Sequence, residues 1–337
     1  MAAADLEAIA RKMVEGGRGI LAADESNSTA NKRLGKLKID PTVENRQAYR
    51  EMLFTTPRLG EYISGTILYD ETIRQSTKAG VPFVKILNDQ NILPGIKVDA
   101  GTKELPGSPA EKITEGLDKL PERVAEYVKL GATFAKWRAV IEIGEGIPTD
   151  YCLRTNAHAL ARYARICQEG GLVPIVEPEV LMDGAHDIDA CLGVTERTLF
   201  EQFRELQLQG VALEGMILKP NMVISGKKSA KQAGADEIAA KTVTVFRRTV
   251  PAAVPGIMFL SGGQSEAEAT ANLNAMNKNY PNLPWKLSFS YGRALQDGAL
   301  KTWAGKSANV GAAQQRFIQR AQLNSDACAA KYRGEAA

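Results

Sequence analysis

Eight short apolar or β-branched segments, each bounded by turn residues, recur along the chain and alternate with segments of helical periodicity. In chain order they span residues 17–24, 65–70, 93–99, 134–140, 173–180, 216–222, 256–263 and 287–293. Strands that alternate with helices pair in parallel through crossover connections. Eight such units predict an α/β fold in which the strands close into a (β/α)8 TIM barrel.

An open, doubly wound sheet is the structural alternative for the same alternation. Such sheets normally carry a G-x-G-x-x-G fingerprint after the first strand, and the segment GRGILAAD (17–24) lacks it. The 337 residues contain no low-complexity linker, and barrels of this size form single domains. We therefore expect one barrel domain over residues 1–337, with an N-terminal helix and a short C-terminal extension over about 305–337.

Charge and cysteine content narrow the classes of function. Lys and Arg number 42 and Asp and Glu number 39, a balance too even to favour nucleic acid or an anionic membrane as a partner. No segment approaches the roughly 20 apolar residues of a membrane span, and the acidic N-terminal region does not resemble a secretory signal. Four isolated cysteines in a long chain favour a reducing compartment, so we expect a cytoplasmic protein.

Histidine is scarce, because the chain contains only His158 and His186. A catalytic zinc usually needs two or three histidines, and these two lie in dissimilar surroundings, a helical pattern and a loop. We therefore expect neither a metal site nor a cofactor. The densest basic stretch, GKKSAKQ (226–232), is rich in Gly and Ser. A solvated loop is the favoured interpretation of that stretch, and a phosphate-binding arm is the alternative.

Polar side chains concentrate at the carboxyl ends of the predicted strands, where the active site of a (β/α)8 barrel lies. Strand side chains alternate, so residues two apart share a face, and Trp137 should point away from Lys136 and Arg138. Charged residues at strand ends can simply meet solvent, but nine polar residues on one rim favour a functional site. The nine are Asp24, Lys97, Lys136, Arg138, Glu177, Glu179, Lys219, Ser261 and Arg293.

Lys219 lies inside the apolar run MILKPNM (216–222), where a buried ammonium is costly unless it is paired or loses its proton. Neighbouring lysines in a partly buried site are expected to lower each other's pKa. A neutral amine can attack a ketone and form a Schiff base, which stabilises an adjacent carbanion without a metal. Glu177, on the neighbouring strand, is a candidate for the proton transfers that dehydrate the carbinolamine.

Two turns that contain glycine predict a phosphate site. The segment FLSGGQSEAEA (259–269) passes from strand to helix with Ser261, Gly262 and Gly263 at the turn, and SYGRA (290–294) follows one strand later with Gly292 and Arg293. Glycine lets backbone amides approach a phosphate, and the N-terminus of the next helix favours an anion. A phosphate site after the seventh and eighth strands recurs in this fold.

Seven segments resemble, in the right order, those of the class I, Schiff-base fructose-1,6-bisphosphate aldolases. They are GILAADES, PGIKVD, FAKWRAV, VPIVEPE, LKPNMV, FLSGGQSE and SFSYGRAL, and the resemblance spans about residues 5–305. It implies reversible retro-aldol cleavage of fructose 1,6-bisphosphate to dihydroxyacetone phosphate and glyceraldehyde 3-phosphate, in glycolysis and gluconeogenesis. It also implies a phosphorylated sugar as the substrate and a homotetramer as the assembly.

Carried over residue by residue, the resemblance implies that Lys219 forms the Schiff base and that Glu177 accepts and donates protons, supported by Glu179. Lys136 would hold the carboxylates and help to orient the substrate. Asp24 would engage the C4 hydroxyl, whose proton either Asp24 or Glu177 would remove. The implied substrate-binding residues are Arg138, then Ser261, Gly262, Ser290, Gly292 and Arg293 for the C1 phosphate, and Lys97, Arg33 and Ser26 for the other phosphate.

The chain departs from the family pattern in two places. DESNSTANKRL (24–34) lacks the Thr-Gly that usually follows the serine. Many eukaryotic members end in a mobile tail with a terminal tyrosine, whereas this chain ends KYRGEAA, with Tyr332 inside it. Either the tail is missing, or the chain is a shorter, bacterial-like member in which another acid or water protonates the enamine.

Two other functions remain open at this stage. One is a Schiff-base aldolase that prefers a sugar monophosphate, which the two basic phosphate ends argue against. The other is a catalytically silent barrel used as a binding scaffold, which the joint presence of Lys219 and Glu177 argues against.

Overall fold

The computed structural model describes residues 3–335, and its eight barrel strands close in parallel, with the first strand paired to the last. In chain order the strands are β1 (Gly19–Ala22), β2 (Ile63–Leu68), β3 (Leu93–Lys97), a hairpin of β4 (Gly101–Leu105) and β5 (Ser108–Glu115), β6 (Phe134–Ile141), β7 (Val173–Val180), β8 (Ile217–Leu218), β9 (Gly256–Phe259) and β10 (Lys286–Tyr291). The predicted barrel is confirmed and the open sheet is wrong, because β1 also pairs with β2.

Helices cover the outside of the barrel. In the described residues they are α1 (Ala3–Val14), α2 (Asn27–Lys36), α3 (Val43–Phe54), α4 (Asp70–Ile73), α5 (Phe83–Asp89), α6 (Leu120–Lys129), α7 (Asp150–Glu169), α8 (Ile188–Leu208), α9 (Ala235–Thr249), α10 (Glu266–Asn279), α11 (Arg293–Trp303) and α12 (Val310–Cys328). None of the helices within residues 3–335 is long and apolar enough to cross a membrane.

The barrel interior is apolar at its lower end and charged at its upper end. Leu6 and Met13 of α1 pack in one buried cluster with strand residues of the lower barrel, so α1 closes that end. Side chains two residues further along a strand point to the same side, and there the apolar residues give way to ionisable ones. The pairs are Phe134 and Lys136 on β6, Ile175 and Glu177 on β7, and Ile217 and Lys219 at β8.

Trp137 lies between Lys136 and Arg138 in the sequence but faces the other way. Its indole is fully buried and packs against the ring of Tyr163 on α7, with the ring centroids 5.5 Å apart. The predicted alternation of β6 is therefore confirmed. Trp137 packs the strand against α7, and Lys136 and Arg138 point into the cavity.

Two features of the strands differ from the prediction. The hairpin β4–β5 was not predicted, and Glu111 fastens it by accepting hydrogen bonds from the backbone N–H of Thr149 at 2.8 Å and from its hydroxyl at 2.6 Å. The strand predicted over 216–222 is regular only at Ile217–Leu218. Pro220 has no N–H to donate to a ladder, although its carbonyl still accepts from Leu260 at 3.1 Å.

The chain after α12 folds back on the outer wall. Arg320 of α12 is fully buried and pairs with Glu335 at 2.5 Å, while its guanidinium also donates to the backbone carbonyl of Glu266 at 2.8 Å. Tyr332 donates its hydroxyl to Glu335 at 2.8 Å and does not line the cavity at the barrel mouth. Residues 1, 2, 336 and 337 of the predicted domain lie outside the described residues.

Candidate active site

A cavity of about 430 Å³ opens at the carboxyl ends of the barrel strands. Fourteen of the predicted site residues line it, and Gly263 is the exception. The lining residues are Asp24, Ser26, Arg33, Lys97, Lys136, Arg138, Glu177, Glu179, Lys219, Ser261, Gly262, Ser290, Gly292 and Arg293, together with Ala22, Glu25, Thr29, Asp99, Gly101, Thr102 and Leu260.

Four ionisable side chains form a buried chain of contacts at the floor of the cavity. Lys136 Nζ lies 2.9 Å from Asp24 Oδ2 and 3.0 Å from Glu177 Oε2. The other carboxylate oxygen of Glu177 lies 3.3 Å from Lys219 Nζ. Two amines and two carboxylates therefore lie in direct succession, and each side chain is at most 12% exposed.

The pKa values of the two buried lysines shift in opposite directions. Burial lowers the pKa of Lys219; Glu177 opposes this effect, the charge of Lys136 adds to it, and the net pKa lies below the usual lysine value. Burial would also lower the pKa of Lys136, but Asp24 and Glu177 outweigh it and hold that pKa well above its usual range. The expectation that both lysines lower each other's pKa is wrong for Lys136, because two carboxylates contact it and one contacts Lys219.

The carboxylate of Asp24 is also held in its charged form. Burial by itself would raise its pKa, but the ammonium of Lys136, with Lys219 further away, holds the pKa of Asp24 well below its usual range. A carboxylate with so low a pKa is a weak base and a good electrostatic partner. Asp24 is thus suited to holding Lys136 and binding a hydroxyl, more than to taking a proton.

Asp99 is a site residue that the sequence analysis missed. Its side chain is 3% exposed and lies 3.2 Å from Lys97 Nζ. It also accepts backbone hydrogen bonds from Gly101 at 3.1 Å and Arg138 at 3.3 Å, so it joins β3, the hairpin and β6. The signal was available, because Asp99 follows Lys97 by two residues and so shares its face.

One side of the cavity carries the features of an anion site. Ser290 is 1% exposed and its hydroxyl has no hydrogen-bond partner within the described residues. Helix α11 begins at Arg293 with no side-chain cap at Gly292 and no acidic residue in its first turn. Since no carboxylate of residues 3–335 lies within ion-pair distance of Arg293, its guanidinium is available to a ligand.

The two predicted helix N-termini at this anion site are not equivalent. Ser265 and Glu268 form a capping box at the start of α10, in which the Glu268 carboxylate accepts from the N–H of Ser265 and the Ser265 hydroxyl accepts from the N–H of Glu268. Gly262 and Gly263 precede that cap, with φ values of 55° and 80°. The phosphate site that the sequence predicts can therefore use this turn and the start of α11, but not the start of α10.

The opposite side of the cavity carries Arg33, whose guanidinium is already paired with carboxylates. Arg33 contacts Glu25 and lies 2.8 Å from Asp297, and Glu25 also pairs with Arg50 at 2.5 Å. Ser26 caps α2 by accepting a hydrogen bond from the backbone N–H of Thr29 at 3.3 Å. An anion that binds Arg33 must compete with two carboxylates, which the sequence did not reveal.

Comparison with known proteins decides the family. The model of the family described as fructose-bisphosphate aldolase class-I matches residues 5–337. The chain belongs to the class I fructose-bisphosphate aldolase family. This family consists of lyases that act through a lysine Schiff base without a metal in glycolysis, and the chain is such an enzyme.

Individual aldolases match over nearly their full length. A probable class 1 fructose-bisphosphate aldolase of Xanthomonas campestris pv. campestris is 56% identical over 335 residues, which cover 99% of this chain and 100% of that protein. Cytosolic fructose-bisphosphate aldolase 6 of Arabidopsis thaliana is 54% identical, covering 95% of this chain and 89% of that protein.

A solved aldolase structure has the same fold. The fructose-bisphosphate aldolase of Plasmodium falciparum, crystallised with TRAP and a small-molecule inhibitor, superposes with a TM-score of 0.97 at 51% identity. The match covers 98% of this chain and 96% of that chain. Membership of the aldolase family agrees with the barrel fold and supports an enzyme instead of a catalytically silent scaffold.

Proposed function

We propose that Lys219 is the Schiff-base residue of this aldolase. The observation that carries the proposal is the position of its amine, which lies 3.3 Å from Glu177 in a buried site that lowers its pKa. A lysine with a lowered pKa is neutral more of the time and can attack the C2 ketone of fructose 1,6-bisphosphate. The product is a carbinolamine, which loses water to give a protonated imine.

Glu177 is proposed as the acid and base of the reaction. Its carboxyl group can donate a proton to the departing carbinolamine hydroxyl and later accept the proton of the C4 hydroxyl. When that proton leaves, the C3–C4 bond breaks, glyceraldehyde 3-phosphate is released, and the bonding electrons pass into the imine to form an enamine. Protonation of C3 and addition of water then give dihydroxyacetone phosphate and return the amine of Lys219.

The neighbours of this pair are assigned positioning roles. Lys136 bridges Asp24 and Glu177 and keeps both carboxylates oriented. Asp24, with its low pKa, binds the C4 hydroxyl instead of removing its proton. Glu179 contacts Arg138 at the rim, where the pair orients the sugar.

The two phosphates are proposed to bind on opposite sides of the cavity. The C1 phosphate is assigned to Ser261, Gly262, Ser290, Gly292 and Arg293, where a buried hydroxyl and a guanidinium are unpaired. The other phosphate is assigned to Lys97, Arg33 and Ser26, and its binding exchanges the carboxylate partners of Arg33 for phosphate oxygens. Two cationic ends favour a bisphosphate over a monophosphate.

Trapping with borohydride tests the proposal. Borohydride added with dihydroxyacetone phosphate reduces the imine to a stable secondary amine, and mass spectrometry locates the modified lysine. We expect the adduct on Lys219, and none on Lys219→Met. An adduct on Lys136 or Lys97 instead, or activity that survives the treatment but disappears with EDTA, overturns the assignment.

We also propose that residues 1–337 act as one domain within a cytosolic homotetramer. Family membership supports the assembly, and the cytosolic relative from Arabidopsis thaliana supports the location. Native mass spectrometry tests the assembly directly, since a monomeric mass at micromolar concentration contradicts it.

A further inference from the structure

Two loops meet at the turn that contains Gly262 and Gly263. The backbone N–H groups of Gly226, Lys227 and Lys228 donate to the carbonyls of His186, Met182 and Gly184 at 2.9, 2.7 and 3.0 Å. The basic loop after β8 is therefore fixed to the loop after β7. The methyl group of Met182 in turn fills the space that a Cβ on Gly262 would need.

The side chain of Lys227 lies against the other glycine of this turn. A Cβ built on Gly263 would be 2.6 Å from Lys227 Nζ and 3.4 Å from Arg293 Nη2. Both cationic groups thus lie next to the position of this missing side chain and within about 6 Å of each other. Gly263 does not line the cavity. Its φ of 80° favours glycine, and a side chain at this position would displace the end of the Lys227 side chain.

The local charges do not balance. Lys227 pairs with Asp183 at 2.9 Å, and both side chains are largely exposed. Arg293 has no carboxylate partner in the described residues, so only Lys227 of the two cations at the turn is paired. Two exposed like charges about 6 Å apart repel each other weakly in water, and a phosphate dianion bound at the turn would attract both.

We propose that Lys227 is a further cation of the C1-phosphate site, which binds the phosphate monoester of fructose 1,6-bisphosphate and dihydroxyacetone phosphate. This inference rests on the proposed function. Lys227 reaches the phosphate over Gly263, close to Arg293, and Asp183 holds it there when no phosphate is bound. The loop 226–232 thus acts as a phosphate-binding arm through one of its three lysines.

A purely structural role makes a different prediction from an electrostatic one. If the pair only fastened the two loops, loss of either partner would weaken phosphate binding in the same way. If Lys227 acts through its charge, loss of Asp183 frees that charge for the phosphate. The two variants are then expected to change phosphate affinity in opposite directions, or Asp183 to have no effect.

Steady-state kinetics in the direction of aldol synthesis separates these roles. Lys227→Ala is expected to raise the KM for dihydroxyacetone phosphate by about two- to fivefold, as for loss of one exposed ion pair. The KM for glyceraldehyde 3-phosphate, which binds at the other end, should not change. Lys227→Arg should restore the affinity, and Asp183→Asn should lower the KM for dihydroxyacetone phosphate or leave it unchanged.

The neighbouring Lys228→Ala is the matched control, because it removes the same charge from the same loop without touching the glycine turn. The effect of Lys227→Ala should also shrink as ionic strength rises. An unchanged KM in Lys227→Ala overturns the inference, and so does an equal rise in Asp183→Asn. Borohydride trapping on Lys219 is unaffected in either case, so failure of the proposed function would be seen separately.

Discussion

Lys136 separates Asp24 from Glu177, and its amine lies almost equally far from both carboxylates, at 2.9 and 3.0 Å. Asp24 follows β1 and Glu177 belongs to β7, so Lys136 on β6 connects the two carboxylates across the barrel. This arrangement leaves one carboxylate oxygen of Glu177 directed to Lys219. Lys136 thus orients Glu177, which we propose as the proton acceptor, toward Lys219, which we propose as the Schiff-base residue.

Removal of the proton acceptor should affect turnover more than binding. We expect Glu177→Gln to lower kcat by about 10²–10⁴-fold, the range for loss of a general acid or base, with a much smaller change in KM. Steady-state kinetics with fructose 1,6-bisphosphate measures both. Glu169→Gln is the control, because its exposed ion pair with Arg165 lies on α7 outside the cavity. Wild-type turnover in Glu177→Gln would contradict the assignment.

Lys136 should control the pH at which the enzyme becomes active. Lys219 attacks only when it is neutral, so activity falls as pH drops below the pKa of Lys219. The charge of Lys136 lowers that pKa, and Lys136→Met should therefore raise the pKa of Lys219 and move the rise in activity to higher pH. A pH profile of kcat/KM measures the shift, and a profile that only falls in height would be inconsistent with this coupling.

Loss of the reactive lysine should stabilise the fold. The pKa of Lys219 is lower in the folded chain than the usual 10.5, so the unfolded chain binds more protons between the two values. Folding therefore pays a free-energy cost below the folded pKa, and stability rises with pH through that window. We expect Lys219→Met to raise Tm at pH 7 by roughly 1–3 °C. Calorimetry that shows a lower Tm than wild type would argue against a strained lysine.

The stability of the wild-type fold should fall in acid through Asp24. The pKa of its carboxyl is held well below the usual value of 3.8, so its contribution is present above that value and is lost as pH falls toward the folded pKa. Asp24→Asn should abolish this part of the dependence while leaving Lys136 paired with Glu177. Urea unfolding of both proteins between about pH 5 and 2 measures it, with parallel curves as the contrary result.

Substitutions at the two proposed phosphate sites should have different effects on a bisphosphate and on a monophosphate substrate. Arg293→Ala should raise the KM for both fructose 1,6-bisphosphate and fructose 1-phosphate, by about 10- to 100-fold, as for loss of a charged hydrogen bond. Arg33→Ala should raise it only for the bisphosphate. The comparison also tests the monophosphate alternative, because an Arg33 variant that is impaired equally on both substrates means that this end does not hold a phosphate.

The sequence predicted the barrel, and it predicted residues of which fourteen line one cavity, because both depend on local alternation along strands. The two-residue period of β6 and β7 placed Lys136 on one face with Arg138 and Glu177 on one face with Glu179. The hairpin β4–β5 was missed, since its anchor Glu111 acts through Thr149, far away in the sequence. The opposite pKa shifts of Lys136 and Lys219 were missed because they depend on how many carboxylates each amine meets across the barrel.

Helix α1 closes the lower end of the barrel and leaves the upper mouth as the entrance. Leu6 and Met13 fill the lower end, so substrate, water and both products must pass through the same mouth.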